Sequence, residues 1–305
     1  MDRPPILGTR GSPLALAQAR QVATALEVAH GWAAGFVRIV PVRTSGDRIQ
    51  DRPLADIGGK ALWTKELDLA LLAGETDFSV HSMKDVESER PDALSIVAVM
   101  ERADVRDRMI GAASIEALPQ GARVGTSSPR RAAQIRRLRP DLAIAPIRGN
   151  VETRLAKVAA GEFDATLLAA AGLDRLGRSD TGVAIAVEAM LPAPAQAAIG
   201  VECRTDDVMT AQLLSAIDHR RSHCAVTAER IFTSALGGTC HSPVAALAIE
   251  QDGELWLRGE ILSEDGAEFV SGEVRFASGD TGPPEALARK LLDKAPDAIR
   301  RLFEG

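Results

Sequence analysis

Val124-Gly125-Thr126-Ser127-Ser128-Pro129-Arg130-Arg131 reads as a strand end, a tight turn and a helix start. Ser128 suits the N-cap. Pro129 suits the first helical position, where its missing N–H removes a donor that would be unsatisfied anyway. The same grammar occurs near the N-terminus: Gly8-Thr9, then Ser12-Pro13, then Ala17-Gln18 parallel Gly125-Thr126, Ser128-Pro129 and Ala133-Gln134. A second pair follows in the same order. Ala73-Gly74-Glu75-Thr76-Asp77 and Ala160-Gly161-Glu162-Phe163-Asp164 each close a helix and open a strand. Repeats in one order predict two α/β domains of one design. Such domains bind ligands beyond the C-terminal ends of their parallel strands, where helix N-termini point.

Around these repeats the pattern predicts a strand over 6–9, and a helix from Pro13 whose apolar face holds Leu14, Leu16, Val22 and Leu26. A strand over 36–42 follows. Residues 43–60 form a polar stretch bounded by glycines, long for a connection and suited to a mobile lid. A helix over 63–73 ends at Gly74, and a strand over 77–81 leads to Ser82-Met83-Lys84-Asp85. Residues 97–108 and Leu191-Pro192-Ala193-Pro194-Ala195-Gln196 read as two crossovers, hence a two-strand hinge between lobes. Beyond Ser222 a helix over 225–235 runs into the loop Leu236-Gly237-Gly238-Thr239-Cys240-His241-Ser242-Pro243. Strands over 244–249, 255–260 and 268–276 and a last helix over 284–302 complete a smaller α+β domain. The expected domains are 1–99 with 198–218, then 100–197, then 219–305.

The 305 residues are 46% hydrophobic and 26% charged, an ordinary globular composition that allows two or three domains. Met1-Asp2-Arg3-Pro4-Pro5 does not read as a secretion signal, and no apolar run is long enough to span a bilayer. A cytoplasmic protein without a membrane partner is expected. Three widely spaced cysteines with no Cys-x-x-Cys pair argue against a disulfide framework or a thiolate zinc site. His219, His223 and Cys224 lack an evident fourth ligand and are assigned to a solvated helix face, so no metal is expected. A net charge of −6 argues against a general nucleic-acid binder. Yet Arg102 to Arg154 contains eleven arginines, no lysine and five acidic residues. That local excess of forked cations points to bound carboxylates or phosphates.

Arg10, Arg130, Arg131, Arg148 and Arg154 fall at or near strand ends and helix starts. With Ser12, Thr126 and Ser128 they form a candidate anion-binding set. Arg136, Arg137 and Arg139 lie further along their helix and are assigned to a solvated face. Asp85 is the one carboxylate just past a strand end, beside Lys84. In an arginine-lined cleft it is placed to meet a substrate cation or to handle a proton, against the plainer reading of a salt bridge. Cys240, in a glycine-rich loop closed by proline, is placed to carry a covalent group, against the plainer reading of a small filler.

Five segments together resemble the porphobilinogen deaminase (hydroxymethylbilane synthase) family. They are Thr9-Arg10-Gly11-Ser12-Pro13-Leu14-Ala15-Leu16, His81-Ser82-Met83-Lys84-Asp85, Val124 to Arg131, Arg148-Gly149-Asn150-Val151-Glu152-Thr153-Arg154-Leu155 and the Cys240 loop. Their order and spacing fit over nearly the whole chain. The resemblance implies two periplasmic-binding-protein-like α/β domains plus a smaller C-terminal α+β domain, acting as a monomer. It implies a transferase that joins four porphobilinogen molecules head to tail with release of ammonia. The open-chain product, hydroxymethylbilane, passes to the next enzyme of tetrapyrrole biosynthesis. It also implies a dipyrromethane cofactor held as a thioether, with Cys240 matching the anchor and Asp85 the catalytic carboxylate. By the same match Lys84, Ser128, Arg130 and Arg131 hold the cofactor. Arg10, Ser12, Ser82, Thr126, Arg148, Arg154 and Arg175 bind substrate, and Trp63 stands where an aromatic, usually Phe, covers the pocket.

Three departures from the family pattern stand out: Glu87 where proline is usual, Pro129 where leucine is usual, and Ala195-Gln196-Ala197 where Gly-Gln-Gly is usual. None removes a chemical group, and the last is expected to stiffen the hinge. Two other classes fit parts of the pattern. A two-lobed module that clamps an organic anion explains the repeats but leaves Cys240 and Asp85 without a task. Phosphoryl or acyl transfer at the Gly125–Arg131 loop lacks a Walker-type glycine-lysine pattern and a serine elbow.

Overall fold

The computed structural model describes residues 3–42, 64–237 and 242–303. The chain opens with β1 (Ile6–Arg10), α1 (Pro13–His30), β2 (Arg38–Val42), α2 (Lys65–Leu72), β3 (Phe78–Ser82) and β4 (Leu94–Val99). It continues with β5 (Asp107–Ile110), β6 (Arg123–Gly125), α3 (Pro129–Leu138), β7 (Ala143–Ala145), α4 (Val151–Ala159), β8 (Ala165–Ala169), α5 (Ala170–Arg175) and β9 (Val183–Ala184). Then come β10 (Ile199–Arg204), α6 (Val208–Leu214) and α7 (Arg220–Ala235). The chain closes with β11 (Val244–Gln251), β12 (Glu254–Leu262), β13 (Phe269–Ala277), α8 (Gly282–Lys294) and α9 (Asp297–Arg300).

Two five-stranded sheets share one topology. The first has the order β2-β1-β3-β10-β4 and the second β7-β6-β8-β5-β9. In each, a central strand is parallel to both neighbours, β1 to β2 and β3, and β6 to β7 and β8. In each, a strand from a distant part of the chain inserts antiparallel, β10 beside β3 and β5 beside β8. The molecule therefore holds two periplasmic-binding-protein-like α/β domains, with a smaller antiparallel C-terminal sheet, β11-β12-β13. By compactness the chain divides into a unit of residues 1–103 with 197–223 and a unit of residues 104–196 with 224–305.

Local signals explain the first unit. Ser12 Oγ accepts the Ala15 N–H at 3.3 Å and caps α1, with Pro13 in its first turn. Gly31 ends the helix at φ 66°, a conformation glycine adopts without a Cβ clash. The buried stripe of α1 is Ala19, Val22, Ala23 and Leu26, which packs with Leu7, Phe78, Val80 and Val201. Each large side chain buried there stabilises by about 1.5–3 kcal/mol. Leu14 and Leu16, expected on that stripe, are only partly buried.

In the second unit the C-terminal sheet buries Phe232 of α7 and Leu287 and Leu291 of α8. Gly259 makes room for Phe232, since a Cβ there would lie 2.4 Å from the ring Cζ. The last helix is shorter than its apolar pattern predicts: α8 stops at Lys294 and Pro296 separates it from α9. Arg136, Arg137 and Arg139 are also not the solvated face expected. Arg136 donates to the Glu264 carbonyl at 2.7 Å, Arg137 pairs with Glu260 at 3.0 Å, and Arg139 donates to the carbonyls of Ile115, Glu116 and Leu118. Packing against β12 and its following turn reassigns the far side of α3.

Ala195 and Ala197 both take left-handed backbone, at φ 59° and 71°. For alanine this costs about 1–2 kcal/mol per residue. On the second-unit side it is held by hydrogen bonds. The Ala195 N–H donates to Glu229 Oε2, and the buried Gln196 side chain donates to the Val105 carbonyl at 2.7 Å and to Asp107 Oδ1 at 2.9 Å.

The Gly266 turn abuts the backbone of α3: at φ 71°, a Cβ would lie 2.3 Å from the Ala133 carbonyl oxygen and 2.8 Å from the Arg137 nitrogen. Gly266→Ala should therefore destabilise the second unit by about 2–4 kcal/mol through overpacking and backbone strain. Urea unfolding reads this directly; an unchanged midpoint would show that the turn does not bear on α3.

Candidate active site

At the C-terminal ends of β1 and β3 the first unit forms a pocket lined by Arg10, Ser12, Leu14, Gln18, Thr64, His81, Ser82, Asp85 and Val86. Parallel strands end here, and α1 presents its N-terminal N–H groups, a fixed anion-favouring dipole. Ser82 is oriented by Gln18: the amide donates to Ser82 Oγ at 2.8 Å, and the hydroxyl lies 3.1 Å from Gln18 Oε1. Asp85 and Lys84 sit on a single 3₁₀ turn, Met83–Asp85, directly after β3. A larger depression of about 440 Å³ lies at the opposite ends of these strands, lined by Leu72, Asp92, Ala93, Arg204, Thr205 and Asp206. It lies at the C-terminal end of the antiparallel β10, before α6, and holds none of the residues expected at the site.

The turn bearing Asp85 is anchored from below. The Met83 N–H donates to the Ala198 carbonyl at 3.0 Å, and its side chain, 1% exposed, lies over Gly200. Even a methyl group at Gly200 would reach within 2.0 Å of the Met83 sulfur. Beside it lies a buried ionic network. Glu202 on β10 accepts from His81 Nε2 at 3.1 Å and from Arg90 Nε and Nη2 at 2.8 and 2.9 Å. Arg90 also donates to Asp68 at 2.6 Å, Glu87 at 3.0 Å and Thr64 at 3.3 Å. Burial alone pushes the Glu202 carboxyl up, but the hydrogen bonds and charges of His81 and Arg90 outweigh it and hold it down at about 2. Burial raises Asp68, and Arg90 offsets this only in part.

The second unit repeats the helix start. Ser128 Oγ accepts the Arg131 N–H at 3.4 Å, and the Ser128 N–H donates to Thr126 Oγ1 at 3.1 Å. Arg148 precedes Gly149 (φ 108°) and Asn150, whose side chain caps α4 by accepting the Thr153 N–H at 2.9 Å. Arg154 Nε donates to the Gly149 carbonyl at 3.0 Å. Arg175 ends α5, where burial pushes its guanidinium down to about 10 and Asp174 offsets this only in part. A cation buried more than it is compensated favours an anionic ligand.

Arg130 and Arg131 lie deeper than a solvent-lined cleft implies, at 3% and 6% exposed. Both grip Asp107, at 2.8 and 2.7 Å. Arg130 also donates to Gln134 Oε1 and the Leu191 carbonyl, and Arg131 to the Leu167 carbonyl. Burial raises the Asp107 carboxyl, but the two guanidiniums together hold it far below the usual carboxylate range. Each arginine retains one buried Nε–H without a hydrogen-bond partner among the described residues, so donor capacity remains for a ligand.

Thus the structure brings Arg10, Ser12, Ser82 and Asp85 together in the first unit, with Lys84 on the same turn as Asp85. It places Thr126, Ser128, Arg148 and Arg154 at two helix starts of the second. Trp63, Cys240 and the 43–60 stretch lie outside the described residues. Sequence reasoning missed Gln18, Thr64, His81, Arg90, Asp107 and Glu202. The glutamine had a signal, since it recurs in the repeat as Gln134. The buried charges had none, because their partners lie far apart in the chain.

The first unit thus holds a strand-end pocket with a carboxylate, and the second holds helix starts rich in hydroxyls and guanidiniums, groups of the class that binds anions. Comparison with known proteins narrows that class. The family described as "Porphobilinogen deaminase, dipyromethane cofactor binding domain" matches residues 6–212, and "Porphobilinogen deaminase, C-terminal domain" matches residues 223–295. A porphobilinogen deaminase of Sphingopyxis alaskensis is 58% identical over 99% of this chain and 97% of its own length. One of Paracoccus denitrificans is 50% identical over 95% of this chain and 94% of its own. Among solved structures, the second substrate binding domain of a putative amino acid ABC transporter from Streptococcus pneumoniae has a TM-score of 0.42 at 12% identity, over 69% of this chain and 89% of its own. The chain belongs to the porphobilinogen deaminase family.

The Glu202 shift sets a pH dependence. Its folded value lies below the ordinary 4.5, at about 2, so its stabilisation is complete above pH 4.5 and is lost as pH falls towards 2. Urea midpoints across that window should fall less steeply for Glu202→Gln than for the parent. Equal slopes would show that Glu202 titrates normally.

Proposed function

We propose that this chain joins four porphobilinogen molecules head to tail, with release of ammonia, into hydroxymethylbilane, on a dipyrromethane primer held as a thioether by Cys240. The carrying observation is the composition of the strand-end pocket: among the described residues a single carboxylate, Asp85, beside Arg10, Ser12 and Ser82. Its kinship with porphobilinogen deaminases supports the substrate.

Porphobilinogen carries an acetate, a propionate, a basic aminomethyl group and an electron-rich pyrrole. The donors present suit such a molecule and a primer built from two of its units. Arg10, Arg148, Arg154 and Arg175 offer forked contacts to carboxylates, and Lys84 a point charge. Ser12, Ser82, Thr126 and Ser128 add hydroxyls near helix starts. The residual Nε–H groups of Arg130 and Arg131 are features a bound polyanion would satisfy. When bound, the primer supplies a pyrrole with a free α-carbon as the nucleophile.

Asp85 keeps the substrate's aminomethyl nitrogen protonated, so that its C–N bond breaks with departure of ammonia. The carboxylate then faces the cation left on the substrate's methylene and pyrrole, where a fixed negative charge lowers the barrier. The bound primer's free α-carbon would supply the bond to that methylene, its α-proton passing to water. Cys240 anchors and takes no part in each turnover. The expected hinge lies at the crossovers and joins the domains of 1–99 with 198–218 and of 100–197; the third domain is 219–305. The reading takes the protein as a cytoplasmic monomer whose product passes to the next tetrapyrrole enzyme. Among the described residues no helix is long and apolar enough to cross a membrane.

Ammonia release from porphobilinogen tests the reading. Asp85→Asn should lower kcat by about 10²–10³-fold, as for removal of a preorganised electrostatic group. Near-normal turnover in that variant would remove Asp85 from the chemistry, and a parent protein that binds porphobilinogen without releasing ammonia would make it a binding module.

A further inference from the structure

We infer that Arg90 is a positioning residue for Asp85, holding the catalytic turn against the pocket wall through one guanidinium shared by Glu202, Glu87, Asp68 and Thr64. The inference rests on the role of Asp85 proposed above.

Asp85 stands on a loop fixed at both ends. Upstream, Met83 is tied to the Ala198 carbonyl and packed on Gly200. Downstream, five residues past Asp85, Arg90 is 9% exposed and holds Glu202 by a forked pair at 2.8 and 2.9 Å. The same guanidinium reaches Glu87, two residues beyond Asp85, and Thr64 and Asp68 of the segment that opens α2. Thr64 Oγ1 in turn donates to Glu87 at 3.1 Å. Thr64, His81, Asp85 and Val86 line one pocket, and Arg90 bonds or is bridged to the segments that carry them. His81 joins through Glu202, whose other oxygen contacts Arg90 Nε.

A forked guanidinium fixes distance and angle together, which a lysine on a flexible stem does not. Glu87 contributes a side-chain acceptor that both Arg90 and Thr64 use. Without Arg90 the fully buried Glu202 loses its forked partner and keeps His81, and Asp68 and Glu87 each lose a charged hydrogen bond. Such an imbalance is relieved by opening the loop, and that displaces Asp85. An ångström of displacement at a reacting group costs about 100-fold in rate.

The test is a cycle on the full-length protein, with ammonia release from porphobilinogen as the readout and thermal unfolding as the control. Arg90→Met is made alone and with Glu202→Gln, which removes the buried charge that a lost partner would strand. Each is combined with Asp85→Asn. The expected result is a fall in kcat of about 10–100-fold for Arg90→Met/Glu202→Gln, with KM within about twofold of the parent. Arg90→Lys should recover part of that loss. Added to Asp85→Asn, the Arg90 change should lower kcat no further, because it acts through a group already removed. Full multiplication of the two losses, an unchanged kcat, or a rise in KM alone would each overturn the inference. Failure of the Asp85 reading is separately visible as full turnover in Asp85→Asn alone, and it takes the inference with it.

Discussion

A carboxylate cannot be buried alone. Removing it from water costs several kcal/mol unless a cation or several N–H groups replace the lost hydration. Three acids make this the governing constraint here. Glu202, fully buried, sits on an antiparallel strand inserted beside β3 and is answered by Arg90 and His81. Asp107, on the corresponding strand of the second sheet, is answered by Arg130 and Arg131. Glu229 is answered by backbone, accepting the N–H groups of Ala195 and Ala248. Each acid therefore dictates where a loop or helix start must lie. Glu202 fixes the loop after the Asp85 turn, Asp107 fixes the first turn of α3, and Glu229 ties the second crossover to β11. The sites are built on these attachments.

Arg130 and Arg131 show how structural and ligand-binding roles are joined. Their guanidiniums are largely committed to Asp107 and to carbonyls, so they neutralise a buried charge and hold the helix start. The Nε–H of each has no hydrogen-bond partner among the described residues, while the half-buried Arg154 donates from its Nε to the Gly149 carbonyl before α4. In the first unit the split differs. Arg90 takes the structural load, while Arg10 and Lys84 stand at the pocket and its turn. Each sheet thus gives a buried guanidinium to the scaffold and places others at the strand ends. A substrate with several carboxylates suits that division, because orientation comes from many weak forks while the chemistry needs one acid.

The repeat carried most of the fold. Gly8-Thr9 to Ser12-Pro13 and Gly125-Thr126 to Ser128-Pro129 are backbone instructions, and both caps form as the residues dictate. The glycine-ended helices before β3 and β8 follow the same logic, with Gly74 at φ 71° and Gly161 at φ 74°. Local chemistry of this kind is legible because its partners lie within a few residues. The antiparallel insertion of β10 and β5 was not legible, since pairing between strands far apart in the chain leaves no local trace. Neither was the reassignment of Arg137 to Glu260, which depends on β12 packing against α3. The site was legible as a set of residue types through its resemblance to a family, and the supports beneath Asp85 were not. Ala195 and Ala197 lie between these cases: the sequence marked them as unusual, and their left-handed backbone states the cost.

The central claim is that Cys240 carries a primer on which the chain of pyrroles grows. The most direct measurement is the intact mass of the denatured protein, parent beside Cys240→Ala. The account predicts an added mass equal to two linked pyrrole units on the parent and none on the variant. A parent of bare polypeptide mass that stays bare after incubation with porphobilinogen, or an adduct that persists in Cys240→Ala, would contradict it.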